Sequence, residues 1–566
     1  MPKFNKSPPS GSGSPRESME KSKVSHIESV NENQAFTITG NADGLQRELS
    51  NRKVQLVAIG GSIGTALFLS IGGTLNKAGP GNLFLAFLIY NMFLALINNC
   101  MAEMTVYMPV SGSFIRLASH WVDDALGFCV GWNFFLFQVV VIPFEITALT
   151  LVLSFWKEDI PVAAICGGCI ALYIIINVYA VAVYGEFEFW LSSGKVLLLT
   201  ILFCFTFITM VGGNPQHDTY GFRNWNNPGA FAEFSSVGTL GKFEGFLAAL
   251  WFASFTCVGP EFVGMMSAEA KHPRTYLNTA FKVVYGRILV FFIGGALAVG
   301  ILIPYNDATL NAVYQAGTGH SGSAAASPYI IAMKNMNIKV LPHIVTALIA
   351  STIFSAGNTY VYCATRSLYG LALEGRAPGF LKKCTKKGVP VYCFAVVMLF
   401  PFLSFLQVSN NTATVLTWLI NLATGATIID YIVICITYIR FHKACKAQGF
   451  DRSKLPYYGR FQPWCGWIGL IWELLIILFY GYKSLSPFDV SAFLTAYTMP
   501  ALSIILFVGW KLVKQTKWRK PEEVDLVWEA PHITAYERAL DEPSVGFFRD
   551  CYRYFRGKGR SARSEA

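Results

Sequence analysis

Long apolar runs separated by short polar stretches set the pattern of this chain. They fall at 54–75, 83–105, 126–153, 160–182, 191–212, 244–268, 284–304, 340–366, 390–408, 413–438, 466–484 and 491–513. A helix needs about 20 apolar residues to cross the hydrocarbon core of a bilayer, and a barrel strand needs only about 10. The pattern therefore predicts an all-α membrane protein of twelve transmembrane helices, with the lipid bilayer as its surroundings. Two of the runs are interrupted. The first reads VAIGGSIGTALFL from Val57 to Leu69, with breaks at Gly60, Gly61 and Gly64. The sixth reads FASFTCVGPEFVG and breaks at Gly259-Pro260. Lipid offers exposed backbone groups no partners, so a break persists only where it is buried in protein or lines a cavity. Matching breaks five spans apart predict a five-plus-five inverted repeat with discontinuous first and sixth spans.

Composition agrees with the pattern. Of 566 residues, 53% are hydrophobic and only 14% charged, against about 25% charged in a soluble protein. The net charge of +11 is explained by topology and implies no nucleic-acid partner. Lys271, Arg274 and Lys282 follow the sixth span. Arg376, Lys382, Lys383, Lys386 and Lys387 follow the eighth. Arg440, Lys443, Lys446, Arg452, Lys454 and Arg460 follow the tenth. All these loops lie on the side of the termini, and the positive-inside rule makes both termini cytoplasmic. Residues 1–50 are polar and predict a disordered cytoplasmic tail. Residues 51–513 are expected to form the twelve-span domain, and 514–566 a second cytoplasmic tail. Lys3, Lys6, Lys21 and Lys23 would be open to ubiquitination machinery; a merely solvated tail explains them as well. No nucleotide-binding loop is evident, which argues against an ATP-driven pump. Cys166 and Cys169 form one C-x-x-C inside a span without a second ligand pair, so no zinc site is expected. No cofactor is implied.

The breaks carry the candidate chemistry. A half-helix starting after Gly61 presents the N–H groups of Ser62, Ile63 and Gly64, and helix N-termini favour a carboxylate. The Ser62 and Thr65 hydroxyls add donors. The Gly60-to-Gly64 spacing also suits close helix packing. In the sixth span, carbonyls freed between Phe255 and Val258, Cys257 among them, would face an ammonium group, because Pro260 cannot close the helix ladder over them. The Phe252 and Phe255 rings would flank the ligand. Ionisable residues inside spans are functional candidates. Glu145 in the third span, Lys195 in the fifth and Glu261 just past Gly259 are of this kind. Lys195 is also near enough to its span start to snorkel outward. Glu103, Glu269 and Arg274 near span ends are read as fixing loops and gates. Asn421, Thr424 and Thr427 make one polar stripe on the tenth span.

Several motifs occur in order over roughly residues 45–540: IGGSIGTALFL (59–69), PVSGSF (109–114), GWNFFLFQ with IPFEIT (131–147), EFEFWLSSGKV (186–196), SAEAKHPRTYLNTAF (267–281), ASTIFSAGNTYVYCATRSLYGLALEGRAPGFL (350–381) and DLVWEAPHITAYE (525–537). On these the chain resembles the fungal amino acid permeases, the yeast amino acid transporter family of the amino acid–polyamine–organocation superfamily. Ala66, where the family more often has glycine, and Pro260-Glu261, where it often has Thr-Glu, are departures at the breaks. The resemblance implies a LeuT-like fold and a proton symporter importing amino acids across the plasma membrane, with no enzymatic step. It places Lys195 where sodium-coupled relatives hold their ion, and gives Thr424 a part in side-chain selectivity. A carnitine- or polyamine-type substrate is the alternative within transport. A non-transporting amino acid sensor is the alternative of another class.

Overall fold

The structure is a computed structural model in which residues 47, 49–60, 64–157, 160–179, 181–314, 327–385, 389–409, 412–485, 487–540 and 543–552 are described. The backbone is almost entirely helical. The main helices are α1 (Asn51–Gly60), α2 (Ala66–Tyr107), α3 (Phe114–Trp121), α4 (Asp124–Leu153), α5 (Val162–Tyr179), α6 (Val181–Met210), α7 (Thr239–Thr256) and α8 (Pro260–Met265). They continue with α9 (Pro273–Leu302), α10 (Leu341–Leu373), α11 (Val391–Val408), α12 (Thr412–Ala447), α13 (Trp464–Ser484), α14 (Val490–Lys514) and α15 (Ala530–Arg538).

Among the described residues, ten helices are long and apolar enough to cross a membrane, and a shorter apolar one runs over Val162–Asn177. The expected twelve separate spans differ from this for two local reasons. The expected spans 54–75 and 83–105 run into each other, because helix continues on both sides of a sharp bend at Gly79-Pro80. The expected span 160–182 is represented by the shorter helix. Gly79 has φ +78, and a Cβ there would lie 2.6 Å from the backbone nitrogen of Ala232. The bend thus needs glycine twice over, for its backbone angle and for the close chain beside it.

Both expected breaks are present at the helix ends. Among the described residues, α1 runs to Gly60, Gly64 lies outside helix and helix resumes at Thr65; α7 stops at Thr256 and α8 starts at Pro260. Helix α4 is apolar all round and largely buried, which marks it as a core helix. It packs against α10, α12 and α14, while α2 packs against α7, α9 and α13. Helix α14 turns Leu494, Ile504, Ile505 and Leu512 outward, a surface suited to lipid. Glu103 accepts both Nε and Nη2 of Arg452, at 2.7 and 2.9 Å, and Glu269 pairs with Arg366 at 2.7 Å. Both acids thus tie segments at the end of the molecule that carries the basic loops.

The segment after α14 docks on that same end. Tyr107 donates to the Leu526 carbonyl at 2.7 Å, and Arg274 bonds Thr534 at 2.9 Å. His120 on α3 stacks on Trp528 with centroids 3.7 Å apart. Burial, reinforced by the Arg116, Arg519 and Arg376 charges, pushes the His120 imidazole down from its ordinary value to about 4. The docked form therefore favours neutral His120. Its contribution is complete above the free value of about 6.5 and is lost as pH falls from there towards 4. Hydrogen exchange across Ala530–Arg538 should speed up over that interval, and His120→Gln should flatten the dependence.

Candidate functional site

The two breaks lie side by side, and one arginine joins them. Arg287 of α9 donates from Nη1 to the Ala58 carbonyl at 3.0 Å and from Nη2 to the Val258 carbonyl at 2.7 Å. It is almost wholly buried. These carbonyls stand near the ends of α1 and α7, where the helix ladder leaves acceptors unmet. Gly259 packs so closely on Arg287 that any Cβ would overlap the guanidinium, and its φ of +156 is one that side chains resist. The carbonyl of Val258 is therefore occupied, and the expected row of acceptors between Phe255 and Val258 is shortened by one. Arg287→Gln should lower maximal uptake at least about tenfold, since each orphaned buried carbonyl costs roughly 1–3 kcal/mol. Counting the protein at the cell surface alongside uptake checks this.

Between the breaks lies a small cavity. Its walls are Gly64 to Leu67 of the first broken span, Phe144 and Glu145 of α4, Phe255 and Thr256 of α7, Phe292 of α9 and Tyr360 of α10. The Thr65 hydroxyl donates to the Glu145 carboxylate. A Cβ on Gly64 would stand 3.0 Å from Glu145 Oε1, so glycine lets the chain pass directly over the carboxylate. Phe144 and Phe255 meet edge to face at 5.2 Å. The space open to water is about 20 Å³, room for roughly one molecule. A larger ligand enters only if the walls part. An apolar, aromatic pocket with one carboxylate is the usual make-up of a small-molecule site.

The expected site residues separate into groups. Gly61, Ser62 and Ile63 lie outside the described residues. Gly64, Thr65, Phe255 and Glu145 line the cavity. Lys195 of α6 is fully buried and its charge acts on the Glu145 carboxylate. A snorkelled lysine would show its ammonium at the surface, and this one does not. The rest face elsewhere. Phe252 packs on Phe87, centroids 6.3 Å apart. The Cys257 thiol accepts from Asn91 at 3.1 Å. Glu261 accepts the Gly259 N–H at 3.1 Å and the Tyr431 hydroxyl at 3.1 Å, so it closes the start of α8. The Thr424 hydroxyl donates to the Ile420 carbonyl of its own helix at 2.6 Å. Arg287, Phe144, Phe292 and Tyr360 were not anticipated. Arg287 could have been found as a lone cation inside the expected span 284–304.

Comparison with known proteins places this geometry. The family described as amino acid permease matches residues 53–523. A general amino acid permease of Saccharomyces cerevisiae is 41% identical, with 87% of this chain and 84% of the relative covered. A dicarboxylic amino acid permease of the same yeast is 36% identical, covering 85% and 79%. A lysine/arginine permease of Candida albicans is 35% identical, covering 84% and 82%. Among solved structures, a mutant manganese transporter of Eremococcus coleocola superposes with a TM-score of 0.51 at 12% identity, over 86% of this chain and 95% of that one. That likeness concerns the fold alone, a LeuT-like arrangement of membrane helices. The chain belongs to the amino acid permease family, among its fungal members.

Proposed function

We propose that this protein is a secondary active transporter, a proton symporter that imports amino acids across the plasma membrane. The observation that carries the reading is the cavity where the breaks at Gly64 and Cys257–Gly259 meet under Glu145. Its chemistry suits a zwitterion. The N–H groups at the start of the second half-helix favour the carboxylate, and Glu145 offers the ammonium a counter-charge. Aromatic walls from Phe144, Phe255 and Tyr360 would surround the side chain. The relatives are named for general, dicarboxylic and lysine/arginine substrates. Those substrates share an amine and a carboxylate and differ beyond them. A constant cradle at the first break with variable walls fits that pattern.

Coupling is assigned to Lys195 and Glu145. A proton moving on or off this pair alters the charge that meets the substrate amine, which links substrate occupancy to proton occupancy. The helices around the broken spans would rock against the rest to open the small cavity to each side in turn. The basic loops on the side of the termini support a cytoplasmic location for both. Lys3, Lys6, Lys21 and Lys23, outside the described residues, would then be accessible to ubiquitin ligases.

The test is a competition panel in permease-deficient yeast cells expressing this chain. Common L-amino acids should compete for uptake, and spermidine should not. If only spermidine or carnitine competed, the carboxylate cradle would be idle and the reading would fail. Binding without flux would turn it into a sensor.

A further inference from the structure

A second buried acid lies outside the cavity. Helix α13 keeps one narrow stripe buried: Cys465, Gly466, Gly469, Glu473 and Ile476. The stripe faces α12 and α2. Small or apolar residues occupy every other position, so Glu473 is the exception on a packing face. It is fully buried, and neither of its carboxylate oxygens has a hydrogen-bond partner among the described residues. The Tyr90 hydroxyl of α2 faces it, is equally buried, and is the one hydrogen-bonding group acting on it among the described residues, at a geometry short of a good bond. The acid thus depends on a single imperfectly aligned partner in a helical packing layer, where an incomplete bond is costly.

The groups around the pair are few. Tyr431 and Cys435 of α12 stand within electrostatic reach of Glu473, and Cys257 and Glu261 within reach of Tyr90. Beyond Tyr431 is Glu261, hydrogen-bonded to it at 3.1 Å. Arg287 acts on Glu261 and is bound to the two break carbonyls. Asp430, on the same helix, accepts from Asn133 at 2.9 Å. Among the described residues no lysine or arginine pairs with Glu473. An apolar side chain would pack here at lower cost, and an unpaired buried carboxylate is expensive. A carboxyl at such a place needs a partner that comes and goes, and within a membrane protein the smallest is a proton.

We propose that Glu473 is a proton-binding site of the transport cycle, connected through Tyr90 and Tyr431 to Glu261 at the sixth-span break. The proton adds to a Glu473 oxygen from one aqueous side and leaves to the other, with no other bond made or broken. Its arrival changes whether Tyr90 donates to Glu473 or accepts from it. Tyr431, bonded to Glu261, then passes the change to the turn at Gly259. The inference rests on the proton-symport reading and adds to it a site outside the five-plus-five repeat.

The experiment uses the full chain in proteoliposomes and a radiolabelled mixture of the common L-amino acids. It compares wild type, Glu473→Gln and Glu473→Asp in two assays: exchange at equal pH, and accumulation driven by a pH gradient across a range of external pH. Glu473→Gln should keep exchange while gradient-driven accumulation falls about tenfold and its pH profile flattens. Glu473→Asp should restore a sloping, displaced profile. Wild-type accumulation and profile in Glu473→Gln would overturn the inference alone. Equal loss of exchange and accumulation would do the same by showing a packing role. A wild type that ignores the pH gradient would overturn both this inference and the symport reading.

Discussion

Gly64→Val abolishes transport, with apparent affinity for amino acids falling about a hundredfold or more. The Cβ alone would sit 3.0 Å from Glu145 Oε1, and valine adds two methyl groups in a space that admits about one water. Overpacking costs roughly 1–3 kcal/mol. Displacing Glu145 also breaks its hydrogen bond from Thr65, and bonds to charged groups are worth about 1.5–3 kcal/mol. Together these span about 2.5–6 kcal/mol, a range that reaches the roughly 2.7 kcal/mol that a hundredfold requires. Gly64→Ala should be milder, because Glu145 needs to shift by only a few tenths of an ångström. The variant still inserts, since the change leaves the apolar runs intact; surface labelling separates insertion from binding. Normal affinity in Gly64→Val would reduce the first break to a helix-packing device.

Lys195→Met cuts pH-gradient-driven accumulation about tenfold or more while exchange at equal pH falls less. Lys195 is fully buried and its charge acts on Glu145. Methionine keeps the length and removes the charge. Glu145 then remains buried without that favourable charge, which is costly for a carboxylate. The double variant Lys195→Met with Glu145→Gln should therefore exchange substrate better than Lys195→Met alone, a non-additivity expected of coupled neighbours. Undiminished accumulation in Lys195→Met would remove Lys195 from the mechanism.

The fold was legible because the membrane imposes a simple rule on sequence. Apolar runs mark helices, and the breaks at Gly60 and Gly259 stood out because lipid tolerates them so poorly. Glu145 was legible for a related reason, as a carboxylate within a span. The bend at Gly79-Pro80 fell in the expected gap 76–82, but helix runs up to it on both sides, which no hydropathy pattern reveals. The finer assignments depended on which way each side chain points around a break. Phe252 and Phe255 are one turn apart on the same face, yet only Phe255 reaches the cavity, because the helix ends immediately after it. Cys257 sits in the break itself, and the local turn delivers its thiol to Asn91. Glu261 had a plainer sequence signal, an acid in the first turn of a helix opened by proline, where it satisfies backbone donors. Thr424 showed a polar stripe, but a buried hydroxyl can satisfy itself on its own helix. Arg287 was visible as a lone cation; its partners Ala58 and Val258 come from sequence-distant segments and only the fold joins them.

The central claim is that an amino acid bound between the two breaks is carried inward by the proton gradient. Its most direct test is accumulation of labelled amino acids by the wild-type protein in proteoliposomes, with the pH gradient imposed and then collapsed by a protonophore. Accumulation above the external concentration should appear with the gradient, vanish on its collapse, and be competed by compounds that carry both amine and carboxylate. Accumulation indifferent to the gradient, or competed equally by amines that lack a carboxylate, would contradict it.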